Sequence, residues 1–299
     1  MATSGRLDPG ALSDTLDRLG CAGDRGALAH YADPAYYDKT YGSRRADVDY
    51  YTWIAKRSGG PVLEYGIGNG RVAIPIARAG IHVHGVDLSA PMLSSLRERL
   101  RSETPATRGC LTYTHGDMRS VRLRRRFPLV LATFNTVLHL YDRTDVEQFL
   151  ARVHAHLEPG GRFVFDCSVP RAEDLARRPD RAYGAPRLRH PTTGQLVQYS
   201  ERFEYDPIRQ VMLVHITFTP TDGSASWTVP LTHRQFFPAE LEALLHYNGF
   251  DEVTFTADFT DEPPGPDVDS MVVTCQSPRR QPGRTARPRT RLASRRHNP

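Results

Sequence analysis

The chain has 299 residues, 39% of them apolar, with 39 Lys or Arg against 34 Asp or Glu, a balance that supports one large folded domain with a real core. The formal charge of +5 misleads: eight arginines fall in residues 277–299, which hold no acid, so 31 of the 39 basic residues remain against 34 acids, a body charge near −3. No basic stripe marks the body, which argues against a nucleic-acid enzyme, and no apolar run approaches the roughly 18–20 residues that span a bilayer.

Residues 1–30 read as a flexible or helical lead-in, with no apolar run behind a basic segment to mark a secretory leader. Residues 31–41 are dense in tyrosine: Tyr31, Tyr36, Tyr37 and Tyr41. A helix is expected over 45–57, its Tyr50, Tyr51 and Trp53 facing the core, and Ser58-Gly59-Gly60-Pro61 ends it. Strands and helices then alternate. Residues 62–65 form a strand, 71–78 a helix closed by Gly80, 81–86 a second strand, and Ser89 caps a helix with Met92, Leu93, Leu96 and Leu100 at helical spacing. Residues 111–114 are a third strand. Residues 128–134 are a fourth, apolar enough to lie centrally in a parallel sheet. A helix over 146–157 stops at Glu158-Pro159-Gly160-Gly161, and 162–166 is a fifth strand. This rhythm predicts an α/β domain with a Rossmann-like, doubly wound sheet.

The rhythm breaks at 195–204, 210–218 and 225–236, which alternate apolar and polar residues without helices between them. They predict an antiparallel β insert, about 190–236, forming a lid over one end of the sheet. A helix at 238–248 and a hairpin of 253–259 with 270–275 close the domain, taken as 31–276; the Pro- and Arg-rich 277–299 reads as a disordered basic tail. Cys21, Cys110, Cys167 and Cys275 form no CxxC pair, which fits a reduced, cytoplasmic setting. The pairs His82/His84 and His154/His156 lack a third ligand nearby, so no metal is expected.

The strongest motif is Glu64-Tyr65-Gly66-Ile67-Gly68-Asn69-Gly70, between a strand and its helix. Glycines there let the backbone turn tightly and approach a ligand, and the helix start offers free N–H groups. A dinucleotide fingerprint G-x-G-x-x-G fails from Gly66, where Arg71 takes the third glycine's place, but from Gly68 it meets Ala73, a tolerated variant. The loop alone therefore leaves a dinucleotide open. Asp87 ends strand two, where a carboxylate accepts from ribose hydroxyls of either cofactor type. His115-Gly116-Asp117-Met118-Arg119 follows strand three, and Leu157-Glu158-Pro159-Gly160-Gly161-Arg162 precedes strand five.

These four pieces, in this order, resemble the motifs of class I S-adenosylmethionine-dependent methyltransferases. The resemblance implies S-adenosylmethionine as cofactor, with Gly66, Gly68 and Gly70 around its amino-acid end. It implies Asp87 on the ribose, Asp117 on the adenine amino group, and the next N–H, of Met118, on the ring. Glu64, Leu88, Met92 and Phe134 complete the expected cofactor set. Tyr37 is expected to close over the sulfonium, a cation–π contact of about 0.5–2 kcal/mol.

Within the family the chain is most similar to small-molecule N-methyltransferases, the aminosugar N,N-dimethyltransferases and glycine N-methyltransferase. Tyr37-Asp38-x-x-Tyr41, Gly116-Asp117-Met118-Arg119 with Arg122-Leu123, and Phe134-Asn135-Thr136-Val137-Leu138-His139-Leu140 carry that similarity. It implies a small-molecule acceptor, with an amine nitrogen favoured. An oxygen acceptor on a natural product, a protein or RNA target guided by the basic tail, and a binding protein without catalysis are the alternatives. Two departures stand out: Tyr65 where the family carries a small residue, and Asp166-Cys167-Ser168 where the glycine enzyme has an arginine. The second argues against glycine as substrate. His139 is the first candidate for proton handling, because it lies just past strand four where ligands bind, and Tyr41 joins it as a catalytic candidate. Asn135 and Thr136 are expected between cofactor and acceptor, and Arg234 against an acidic substrate group. No membrane or nucleic-acid partner is expected, and a homodimer is left open.

Overall fold

A computed structural model describes residues 28–184 and 186–277. Most of the expected lead-in and nearly all of the basic tail lie outside the described residues. Helix α1 (Pro34–Tyr41) starts where the Asp33 carboxylate accepts from Tyr36 N at 2.9 Å, with proline in its first turn. Helix α2 (Ala46–Ser58) ends at Gly59 in the left-handed conformation. The alternating layer follows: β1 (Val62–Tyr65), α3 (Ala73–Arg78), β2 (Val83–Asp87), α4 (Ala90–Arg101), α5 (Pro105–Gly109), β3 (Leu111–His115), β4 (Phe127–Ala132), α6 (Arg143–His156) and β5 (Leu157–Ser168). A short helix α7 (Ala172–Leu175) leads to the second sheet of β6 (Tyr183–Gly184), β7 (Leu188–Arg189), β8 (Leu196–Asp206), β9 (Val211–Pro220) and β10 (Trp227–Arg234). Helix α8 (Pro238–Tyr247) and strands β11 (Asp251–Ala257) and β12 (Ser270–Gln276) complete the described chain.

The main sheet has seven strands in the order β11-β12-β5-β4-β1-β2-β3. Pairs β1/β2, β1/β4, β2/β3 and β4/β5 are parallel; β12 and β11 add as an antiparallel edge. Strand order reverses between β1 and β4, so the loops leaving those strands diverge and open a crevice. Both faces are covered, which explains the continuous apolar runs of β1 and β4. Tyr51, Ile54, Ile74 and Ile76 pack on one face, and Phe149, Leu150 and Val153 of α6 on the other. Each fully buried side chain of this size contributes about 1.5–3 kcal/mol.

The second sheet is antiparallel, β10-β9-β8-β6 with β7 beside β8. Tyr36 of α1 joins Val197, Ile216, Phe218 and Leu231 in its apolar cluster, so the tyrosine-rich segment is anchored to this layer. Four details depart from the sequence reading: Trp53 of α2, expected in the core, is exposed, and three more lie in the strands. The strands β6 and β7 are too short to show periodicity. Residues 158–161, expected as a turn, run inside a longer β5 with Gly160 at φ +77°. Strand four ends at Ala132 instead of Phe134, because Phe134 and Asn135 turn into the left-handed region at φ +56° and +63°. No helix among the described residues is long and apolar enough to cross a membrane.

Candidate functional site

The crevice at the C-terminal ends of β1, β2 and β4 holds an inner cavity, partly open to solvent. Its floor is the loop after β1. Gly66, Gly68 and Gly70 all have positive φ, at +70°, +55° and +81°. A Cβ on Gly66 would lie 2.3 Å from Thr136 Oγ1, so only glycine lets the loop after β4 approach this closely. Gly66 and Gly68 line the cavity; Gly70 does not. Gly70 is called for by its φ of +81° and by packing, an added Cβ meeting Leu96 Cδ1 at 2.6 Å, and it stands off the cavity where the ligand was expected.

Asp87 ties the loop to the end of β2. Its Oδ2 accepts from Gly68 N at 2.7 Å and its Oδ1 from Ser89 N at 2.8 Å. Burial raises its pKa, and the two backbone donors oppose that. Asp87 lines the cavity, and each of its oxygens has accepting capacity beyond the one bond it takes. Leu88, Met92 and Met118 supply apolar wall nearby. Asp117 lines the same wall with its carboxylate already gripped: Arg119 Nε lies 3.0 Å from each oxygen, and Arg119 N donates at 2.8 Å. Burial alone would lift its pKa, but Arg119 takes it below the ordinary carboxylate value.

Glu64 is buried beneath the loop. Its Oε1 accepts from Thr133 Oγ1 at 2.8 Å, whereas Oε2 is buried and has no partner among the described residues. Burial pushes its pKa up to about 8. Arg71 is the charged group the sequence reading passed over. It directly follows the glycine loop, lines the cavity, and pairs with the buried Asp47 of α2, with Nη1 to Oδ1 at 3.0 Å. Its Nε is buried without a partner among the described residues. Its guanidinium lies 4.5 Å from the Phe134 ring centroid. Asp166 at the end of β5 holds Phe134 in its left-handed turn, accepting from Phe134 N at 2.7 Å and from the Tyr51 hydroxyl at 2.5 Å. Tyr65, the unusual follower of Glu64, points into the core and bonds His156 Nδ1 at 2.6 Å.

An outer cavity adjoins the inner one, and Tyr31 and Phe134 belong to the walls of both. Tyr37, Thr136 and His139 line the inner cavity; Tyr41 and Asn135 line the outer. His139 ends a 3-10 turn (Thr136–His139) and bonds the Tyr31 hydroxyl through Nε2 at 2.9 Å and the Tyr141 hydroxyl through Nδ1 at 3.5 Å. Burial lowers its pKa to about 4, so at neutral pH it is an uncharged, weak base that orients Tyr31. Burial also pushes Tyr37 up to about 12, so it stays protonated. Tyr41 bonds His30 Nε2 at 3.3 Å. Asn135 Oδ1 accepts from Ser168 N at 2.7 Å and serves to lock the loop onto β5.

Arg234 is brought elsewhere. Its guanidinium donates to Glu240 at 2.6 Å, Gln210 at 2.9 Å and the Tyr141 carbonyl at 2.8 Å, on a separate groove lined by Ile208 and Val211. An arginine whose charge is neutralised outside both cavities does not bind a substrate anion there, which corrects that expectation. Among the described residues no three His, Cys, Asp or Glu side chains gather as a metal site.

A family model described as a methyltransferase domain matches residues 62–161. The chain is 28% identical over 211 residues to a putative methyltransferase, YqeM, of Bacillus subtilis, covering 69% of this chain and 79% of that one. It is 28% identical over 143 residues to a dTDP-3-amino-3,6-dideoxy-alpha-D-glucopyranose N,N-dimethyltransferase of Streptomyces fradiae, spanning 47% of this chain and about half, 53%, of the relative. Among solved structures, the CcbJ methyltransferase of Streptomyces caelestis superposes with TM-score 0.72 at 25% identity, covering 85% of this chain and 99% of that one. The glycopeptide N-methyltransferase MtfA, complexed with S-adenosyl-L-methionine, gives TM-score 0.52 at 25% identity over 78% and 94%.

Proposed function

We propose, from the premise that this chain belongs to the class I S-adenosylmethionine-dependent methyltransferases, that it methylates an amine nitrogen of a small, natural-product-related acceptor. We take residues 31–276 as the catalytic domain.

The residues of the inner cavity fit the cofactor on one observation. Glu64 Oε2 and Arg71 Nε are buried, unpartnered atoms of opposite polarity on residues that line the inner cavity. They complement the α-ammonium and α-carboxylate of an amino acid, and binding one would satisfy both. In this reading Asp87 accepts from the ribose hydroxyls. Asp117 and the Met118 N–H take the adenine edge, and Leu88 and Met92 cover its faces. When bound, S-adenosylmethionine supplies an electrophilic sulfonium methyl group. The chain's own task is then to orient the acceptor and to keep water out. Tyr31 and Phe134, common to both cavities, mark where acceptor and cofactor sides meet.

The observation that favours nitrogen over oxygen is the weakness of the bases around the two adjoining cavities. A hydroxyl acceptor needs a base strong enough to ionise it, whereas an amine needs only to be neutral. His139 has a pKa of about 4 and both ring nitrogens engaged. Asp166 is committed to Tyr51 and Phe134, and Asp47 to Arg71. The relatives named for N-methylation point the same way.

The test is transfer of labelled methyl from S-adenosylmethionine to matched panels of aminosugars, amino acids and peptides, and of phenols and sugar hydroxyls. Label on nitrogen, unchanged when residues 278–299 are deleted, is the expected result. Label only on oxygen overturns the nitrogen assignment, and activity lost with the tail points to a macromolecular acceptor. Cofactor binding with no transfer to any acceptor overturns catalysis itself.

A further inference from the structure

Two buried nitrogens on the wall of the outer cavity are used by nothing described so far. His30 Nδ1 and His233 Nε2 are both buried, and neither has a hydrogen-bond partner among the described residues. Both side chains line the outer cavity. They come from distant parts of the chain: His30 from the segment ahead of α1, and His233 from β10, where it pairs in register with Met212 of β9. Buried polar groups are normally satisfied, and unpaired ones call for an explanation. Two in one cavity beside the reaction site point to a ligand that supplies the missing bonds.

Arg44 and Arg45 bring positive charge to the same wall, and several of the other polar groups are already committed. The other ring nitrogen of His30 meets the Tyr41 hydroxyl at 3.3 Å. The His139 ring, 5.1 Å from that of His233, is held by Tyr31 and Tyr141. The nearby carboxylates, Asp47 and Asp166, have their own donors. Burial lowers the pKa of His30 to about 4; burial first, then His139 and His30, holds His233 well below the ordinary value. Both rings are therefore uncharged at neutral pH. If His30 donates from Nε2 to the Tyr41 oxygen, its Nδ1 is left as a bare acceptor.

Resting on the amine reading above, we propose that His30 Nδ1 and His233 Nε2 are the acceptor-binding contacts, each accepting one N–H of a neutral primary amine. With both N–H bonds engaged, the nitrogen lone pair has one direction left. An alcohol brings a single O–H and leaves one imidazole unpaired, and a carboxylate brings none. A charged ammonium would be desolvated against neutral rings, so the uncharged amine is the form selected. A once-methylated amine keeps one N–H, so the pair also ranks primary above secondary amines.

The test uses the full chain saturated with S-adenosylhomocysteine and labelled with ¹⁵N-histidine. The probe is 2,2,2-trifluoroethylamine, uncharged at pH 8, with trifluoroethanol as its hydroxyl counterpart. Saturable shifts of His30 Nδ1 and His233 Nε2 with the amine, while His139 and His156 stay still, are expected. Either His30→Leu or His233→Leu should weaken the amine at least tenfold and leave S-adenosylhomocysteine affinity within twofold, which also certifies the fold of each variant. Absence of a saturable shift at these two nitrogens, or variants that bind the amine as wild type does, overturns the proposal. Shifts at both nitrogens with no N-methylated product from any amine would uphold the contacts and remove the amine-methylation reading instead.

Discussion

The buried Glu64 makes cofactor affinity depend on pH in a direction that can be worked out in advance. Burial raises its pKa from 4.5 to about 8 in the chain alone. If its unpartnered Oε2 meets an ammonium, the bound pKa returns toward 4.5, and binding must expel a proton below pH 8. With these two values, about 0.9 proton leaves at pH 7. Affinity rises on the order of a hundredfold from pH 6 to pH 9, or roughly 3 kcal/mol, at about 1.4 kcal/mol per pKa unit of change. Calorimetry with S-adenosylhomocysteine in buffers of different ionisation enthalpy reads both quantities. Glu64→Gln is the reference: it removes this proton but keeps the ligand's own titration, so the difference between the two proteins isolates Glu64. The variant should also lose about tenfold in affinity above pH 8, where the wild-type carboxylate is ionised. Stability moves the opposite way. A carboxylate raised on folding stabilises fully below its unfolded pKa and loses that contribution as pH rises from about 4.5 through 8. The ligand-free variant should therefore melt higher than wild type at pH 8.5. Equal proton release from the two proteins would refute an ammonium contact at Glu64.

Asp87→Ala should weaken S-adenosylhomocysteine by about 1.5–3 kcal/mol, because charged hydrogen bonds are lost; unchanged calorimetric affinity would remove Asp87 from the ribose. Asp47→Ala strands the buried Arg71 guanidinium and should cost about 3–5 kcal/mol in denaturant unfolding, whereas a loss below about 1 kcal/mol would mean that Arg71 finds solvent. Burial lowers the His139 pKa to about 4, so its ionisation leaves no limb in turnover between pH 6 and 8. His139→Gln should lower turnover through Tyr31 without changing the profile's shape, and a limb near pH 6.5 that vanishes in this variant would contradict that.

What the sequence by itself determined is local or periodic. The glycine loop, the acid ending β2 and the stretch after β3 are read from neighbours a few residues apart, and strand alternation follows from apolar patterning. Glycine is demanded at 66 and 68 by backbone dihedrals and close approach, which leave a mark in the sequence. Only the tertiary structure decided what each polar side chain faces. Arg71 finds Asp47 across 24 residues, Tyr31 finds His139 across 108, and Tyr51 finds Asp166 across 115. Gly70, with a left-handed backbone like its two neighbours in the loop, stands off the cavity against Leu96, and Arg234, adjacent in sequence to His233, lies in another groove with its charge already paired. Burial sets whether an imidazole or carboxylate is charged, and burial is a property of contacts that chain order does not encode. His139 could therefore be located from sequence, but its weakness as a base could not.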